Sequence, residues 1–160
     1  DTLTGVWNRR HFEHTAATAI AQAARYGHPL SLLLFDIDRF KAVNDRYGHQ
    51  TGDQVLIELT RVVSKDLRAA DILARWGGEE FVVISAHCNE SAAIQLAEKI
   101  RKEVEAHRFP AIGSLTISLG VAEFSAGDTL DTWFGKADRA LYEAKGSGRN
   151  AVRCSSLLTV

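Results

Sequence analysis

At 160 residues, 46% of them hydrophobic and 24% charged, the chain has the length of one domain and the means to build a core, which excludes a disordered tract. A formal net charge of −1 leaves no bulk attraction for nucleic acid or an anionic membrane, so an anionic ligand must be held by locally placed Lys and Arg. The longest apolar run, LSLLLF, is far short of the ~20 residues that cross a bilayer, and no signal peptide is visible. Cys88 and Cys154 form no CxxC pair, and His87 beside Cys88 does not complete a zinc set. They read as two reduced thiols of a cytoplasmic protein. No repeat or linker divides the chain, and its start at Asp1 rather than Met is expected of one domain, 1–160, cut from a longer protein.

In chain order, Asn8 can cap a helix through HFEHTAATAIAQAARYG that ends near Gly27 and Pro29. LSLLLFDID is a nearly continuous apolar run closing on two acids, as a buried strand would be. A loop is expected around Tyr47 to Gly52, then a helix with Val55, Leu59, Val62, Val63 and Leu67 at helical spacing. DILARW and EFVVIS read as strands of a hairpin, with Gly77 and Gly78 as the two central turn residues at positive φ. A helix from about Ser91 carries Ala93, Ala97, Ile100 and Val104 on one face, LTISLGVAEF alternates like a strand, and Asp128 is the expected cap of a last helix that Gly146 and Gly148 end. The centre of this order is the β-α-β-β-α-β arrangement of a ferredoxin-like fold, an α/β (α+β) class with a mainly antiparallel sheet and helices on one face.

That topology lays the hairpin beside the strand ending in FDID and gathers Asp36, Asp38, Glu79 and Glu80. Carboxylates so close repel unless protons or cations neutralise them, and hard oxygen ligands suit Mg²⁺ joined by substrate phosphates. Gly77 and Gly78 let a phosphate approach the backbone, which makes RWGGEEF a candidate triphosphate cradle. The alternative is an acidic hairpin tip facing water. Strand parity adds a difficulty: Glu79 and Glu80 would point to opposite faces if both lay in regular strand.

The chain resembles a GGDEF domain, the catalytic module of diguanylate cyclases, over nearly its whole length. The stretches that carry the resemblance are DTLTGVWNRRHF, FDIDRFKAVNDRYGHQTGD, RWGGEEF, LTISLGVA and ADRALYEAKGSGRN, in that order. GGEEF keeps a carboxylate where the family name has Asp. The resemblance implies condensation of two GTP into cyclic di-GMP with release of two pyrophosphates, with two Mg²⁺ per half-site (Mn²⁺ as a substitute). It implies metal ligation by Asp36, Glu79 and the Ile37 carbonyl with Glu80 close by, and proton removal from the 3′-hydroxyl at Glu79. Lys41 would stabilise charge on the transferring phosphate, Lys145 and Arg149 would clamp the terminal phosphates, and Asn44 and Asp53 would read guanine. Asp38 falls outside this set and is expected behind the ligands.

The residue types suit these roles. An amide and a carboxylate can read guanine's donors and acceptors, and such a pocket would leave polar atoms unpaired with adenine. Asn44 and Asp53 could equally be helix caps, and Lys145 and Arg149 a solvated basic helix end. RAAD, Arg68 to Asp71, matches the RxxD motif of the family's inhibitory product site, with Arg75 and Arg101 as further contributors. Its alternative is a helix-end Arg with a capping Asp. A homodimer of facing half-sites and an upstream sensory domain are the implied partners, with no nucleic acid and no membrane contact by this domain. The rival readings are a catalytically silent GTP- or cyclic di-GMP-binding regulatory module and an ATP-using nucleotidyltransferase on the same core.

Overall fold

The computed structural model describes residues 1–158. The described residues form α1 (Arg9–Tyr26), β1 (Leu30–Ile37), α2 (Phe40–Tyr47), α3 (His49–Ser64), β2 (Ile72–Gly77), β3 (Glu80–Ala86), α4 (Glu90–Ala106), β4 (Ile117–Glu123), α5 (Leu130–Gly146) and β5 (Val152–Cys154). One five-stranded sheet has the order β2-β3-β1-β4-β5. Its first four strands are antiparallel neighbours in ferredoxin-like order, and β5 adds a short parallel edge to β4.

Helices cover both faces of this sheet, which corrects the one-face expectation. Leu33, Phe35 and Ile37 of β1 join Val55, Leu59, Ile100 and Val104 of α3 and α4 in one core. Leu32 and Leu34 join Phe12, Trp133 and Leu141 of α1 and α5 in the other. The βαββαβ unit keeps its own two long helices on one face, and the added first and last helices close the second. This is why all eight residues of β1 are buried and why its sequence runs apolar rather than alternating. No helix among the described residues is long and apolar enough to cross a membrane.

The helix ends follow local chemistry. Asn8 accepts from the His11 N–H, a cap of the kind that contributes about 1 kcal/mol, and Gly27 closes α1 at φ 69°. The loop expected around Tyr47 to Gly52 is almost wholly helical: only Gly48, at φ 89°, separates α2 from α3. The cap of α5 is Thr129 in a reciprocal pair with Thr132, while Asp128 instead accepts from the Ser125 N–H and pairs with Lys136.

Candidate active site

Asp36, near the end of β1, lies opposite Glu80, the first residue of β3. The hairpin turn that presents them is shifted by one residue from the expected one. Gly77 ends β2 and pairs with Glu80, so the two turn residues are Gly78 and Glu79, and of these Gly78 alone takes positive φ, at 47°. A bulge at Trp76, between Arg75 and Gly77, produces the shift. It also removes the parity difficulty, because Glu79 belongs to the turn and Glu80 to the strand. Burial pushes the Asp36 carboxyl up from its ordinary range, Lys145 partly offsets this, and Glu79 and Asp38 add to it. Glu80 is raised first by burial and then by the charges of Asp36 and Asp138.

A cleft of about 180 Å³ opens at this sheet end, lined by Asp36, Ile37, Asp38, Arg39, Phe40, Lys41, Glu79, Lys145 and Arg149. The Lys145 ammonium, from the last turn of α5, bonds Asp36 Oδ2 across 109 positions of sequence. Asp36 Oδ1 is buried with no hydrogen-bond partner. Arg39, at the start of α2, and Arg149, after α5, both hold left-handed backbone (φ 57° and 66°), a conformation costing of order 1–3 kcal/mol for such residues. Asp38 is spent differently. Its carboxylate accepts from Thr116 Oγ1 and Ser118 Oγ, each at 2.7 Å, and from the Asn150 N–H at 2.9 Å. Thr116, Ser118 and Asn150 had no signal in the sequence, since only tertiary pairing brings them to β1.

Asn44 and Asp53 are not caps. Asn44 lies within α2 and Asp53 within the early part of α3, and the two helices meet at Gly52. A Cβ built on Gly52 would fall 1.9 Å from Asn44 Oδ1, so the amide lies directly over that bare Cα, next to Asp53 in sequence. A hollow of about 460 Å³ opens beside Asp53, lined by Leu3, Gln50, Thr51, Asp53 and Gln54. Asn44 does not line that hollow; the amide stands on α2 and the carboxylate on the adjoining α3, the two group types a purine carrying both donors and acceptors would need.

Arg68 and Asp71 form a closed local cluster. The Asp71 carboxylate accepts from the Arg68 N–H (2.8 Å), the Arg68 guanidinium (3.1 Å) and Ser85 Oγ (2.7 Å), and only 1% of its side chain is exposed. Arg68 also donates to the Ala86 carbonyl at 2.6 Å while half of its side chain faces solvent. The turn-forming role is therefore real, and the guanidinium keeps an open side. The structure does not bring Arg75 or Arg101 to this cluster. Arg68 sits at the Ala86 end of β3; Arg75 sits at the opposite end, donating to the Gly78 carbonyl (2.8 Å) and pairing with the Asp1 carboxylate (3.4 Å). Arg101, 14% exposed, is held by Glu98 and by Asn150 Oδ1, beside Asp38.

Among the described residues, no three His, Cys, Asp or Glu side chains already converge as a metal cage. The donor set nevertheless fits a hard cation. Asp36 Oδ1 is an orphaned buried oxygen, its other oxygen already holds a cation in Lys145, and the carboxylates of Glu79 and Glu80 stand beside it.

The family model described as "Diguanylate cyclase, GGDEF domain" matches residues 1–151. The chain is 41% identical over 152 residues to the diguanylate cyclase DgcM of Escherichia coli strain K12, covering 95% of this chain and 37% of that relative. It is 42% identical over 158 residues to the response regulator PleD of Caulobacter vibrioides, covering 95% of this chain and 35% of PleD. The chain thus spans little more than a third of the length of these relatives. Among solved structures, the GGDEF domain of DgcB from Caulobacter crescentus in complex with c-di-GMP superposes with a TM-score of 0.94 at 36% identity, covering 98% of this chain and 95% of that one.

Proposed function

The chain belongs to the GGDEF domain family, and from that premise we propose that it is a diguanylate cyclase domain that condenses two GTP into cyclic di-GMP and releases two pyrophosphates. One observation carries the reading: a buried, half-unpartnered Asp36 faces Glu80 across the β1–β3 ladder, beside Glu79, at a cleft that Lys41, Lys145 and Arg149 also line. Acids for a cation and cationic side chains for phosphates in one cleft suit phosphoryl transfer better than a protein interface.

In this reading Asp36, the Ile37 carbonyl, Glu79 and Glu80 would hold Mg²⁺, which when bound supplies Lewis-acid stabilisation of the attacking and leaving oxygens. Glu79 takes the proton of the 3′-hydroxyl, and its place in the turn rather than the strand lets it reach outward. Lys145 leaves Asp36 for the terminal phosphates when nucleotide arrives, and Arg149 joins it there. Lys41 faces the transferring phosphate. Asn44 and Asp53 take guanine's edge, with Gly77 and Gly78 leaving room for phosphate at the turn. Since one domain holds one nucleotide, two domains must face each other about a two-fold axis. Product made there returns to the open side of Arg68, with Asp71 holding that guanidinium in place.

The test is incubation of the purified chain with GTP and Mg²⁺ at high protein concentration, following pyrophosphate and cyclic di-GMP. Formation of cyclic di-GMP that slows as it accumulates is the expected result. GTP binding without pyrophosphate release, even with two copies joined by a fused coiled coil, would mean a silent nucleotide-binding module instead.

A further inference from the structure

The cleft explains Asp36 and Arg149 but not the polar network behind them. Asp38 is buried, Arg101 and Asn150 are half-buried, and none of the roles above uses them as ligands. Gly148, Arg149 and Asn150 take three successive positive φ values, 110°, 66° and 46°. Glycine adopts that region freely and Asn tolerates it, but Arg does so only where its surroundings dictate it. Here they do. The Asn150 N–H is fixed on Asp38 Oδ2 at 2.9 Å, and the Asn150 side chain is gripped from outside by Arg101 Nη1 at 2.9 Å and by Glu105. Arg101 is itself locked by two bonds to Glu98, at 3.1 and 3.0 Å. On the other side the Arg149 N–H closes onto the Ala144 carbonyl of α5 at 3.1 Å. Asp38 is two residues from Asp36 on the same strand end, so one carboxylate ties the strand end that carries Asp36 to the loop that carries Arg149.

We propose that Arg101, Asn150 and Asp38 form a brace that fixes Arg149 over the cleft, and so act as positioning residues for the terminal phosphates of the bound nucleotide. The proposal rests on the nucleotide reading of the cleft and adds to it. Each bond of the brace ends on the residue after Arg149 or on a group that holds that residue. It also gives Arg101 a place in the molecule at the sheet end opposite Arg68.

The experiment compares GTP with GMP, because only the former reaches Arg149. Binding of each in the presence of Mg²⁺ is measured by calorimetry for the parent chain, Asn150→Gly, Arg149→Ala and the double variant. Asn150→Gly keeps the N–H to Asp38 and suits the positive φ, while losing the grip of Arg101 and Glu105. GTP should bind this variant about tenfold more weakly, or about 1.4 kcal/mol, with GMP changed by less than about twofold. In the Arg149→Ala background the same change should cost GTP less than about twofold more, since the brace acts through that side chain. Equal losses for GTP and GMP, or losses that add across the two sites, would reduce the network to a structural part and overturn the proposal. GTP binding lost with Arg149→Ala but untouched by Asn150→Gly would overturn the brace and leave the nucleotide reading standing. A parent chain that binds no GTP would overturn both. Should Asn150→Gly not fold, Arg101→Met, which cuts the same contact from α4, answers through the same GTP-against-GMP comparison.

Discussion

At the scale of single residues, the site depends on a few atoms whose neighbours are unusual. Glu79 touches no structural network, so Glu79→Ala should abolish cyclic di-GMP formation and leave the fold intact; residual turnover, read by pyrophosphate release, would remove its catalytic role. Gly52 presents the opposite case. Ala there meets the end of the Asn44 side chain rather than backbone, so Gly52→Ala should stay within about 1 kcal/mol of the parent in urea unfolding. Its preference for GTP over ATP should nevertheless fall by about tenfold or more in competition binding, because the displaced amide is the proposed base reader. Asp36 and Glu80 bear on pH. Both have folded-state values raised above their ordinary 3.8 and 4.5, mainly by burial. Their contribution to stability is complete below those ordinary values and is lost as pH rises through the raised ones. Asp36→Asn should therefore flatten the fall of Tm with rising pH relative to the parent, measured without divalent cation. Added Mg²⁺ should raise the parent's Tm more at about pH 8 than at about pH 5, since protons compete for the same oxygens, and should do little for Asp36→Asn.

At the scale of elements, α5 crosses β4 with backbone packed directly on backbone. A Cβ on Gly120 would fall 2.2 Å from the Ala137 carbonyl oxygen and 2.4 Å from the Leu141 nitrogen, both backbone atoms that cannot step aside. Gly120→Ala should lower stability by about 3 kcal/mol in chemical denaturation, and because α5 carries Lys145 it should weaken GTP binding in whatever fraction remains folded. A stable Gly120→Ala with parental affinity would show that α5 can lift without consequence. The elements also show what sequence could reveal. The apolar run of β1, the Asn8 cap and the paired hairpin strands were legible because local pattern dictates them. The three-residue β5 was not, since its strand partner β4 is distant in sequence and no local pattern marks so short a run. The Trp76 bulge likewise has no local signal, so the sequence pattern points to a turn one residue before the observed one. Helical continuity through His49–Gly52 was obscured because HQTG reads as turn chemistry while Gly48 alone makes the break. In the site, Asp36, Glu80 and Glu79 could be joined from topology alone. The Lys145–Asp36 bond and the donors around Asp38 could not, because they link positions some 80 to 110 apart.

At the scale of the whole molecule, the proposed reaction needs two half-sites that face each other. Turnover per protomer should rise with protein concentration and reach a plateau when two copies are fused; a rate independent of concentration from the outset would mean that one copy suffices or that the pair never separates. Arg68 stands at the sheet end away from the acidic cleft, so Arg68→Ala should leave the initial rate near that of the parent and abolish the slowing caused by accumulated product. Inhibition that persists unchanged would leave Arg68 and Asp71 as parts of a turn.

The central position of β1 has a consequence for how the chain is made. Leu33 finds its partners only at Val83 and Val121, 50 and 88 positions later (83 − 33 and 121 − 33). At the usual pace of synthesis, about 5–20 residues per second, LSLLLF leaves the ribosome roughly 4 to 18 s before its second neighbour exists. For that interval it is an unpaired, uncharged, strand-prone segment, the kind that seeds intermolecular pairing. The strand that joins the two halves of the finished sheet is therefore the one that most needs a holding chaperone during translation.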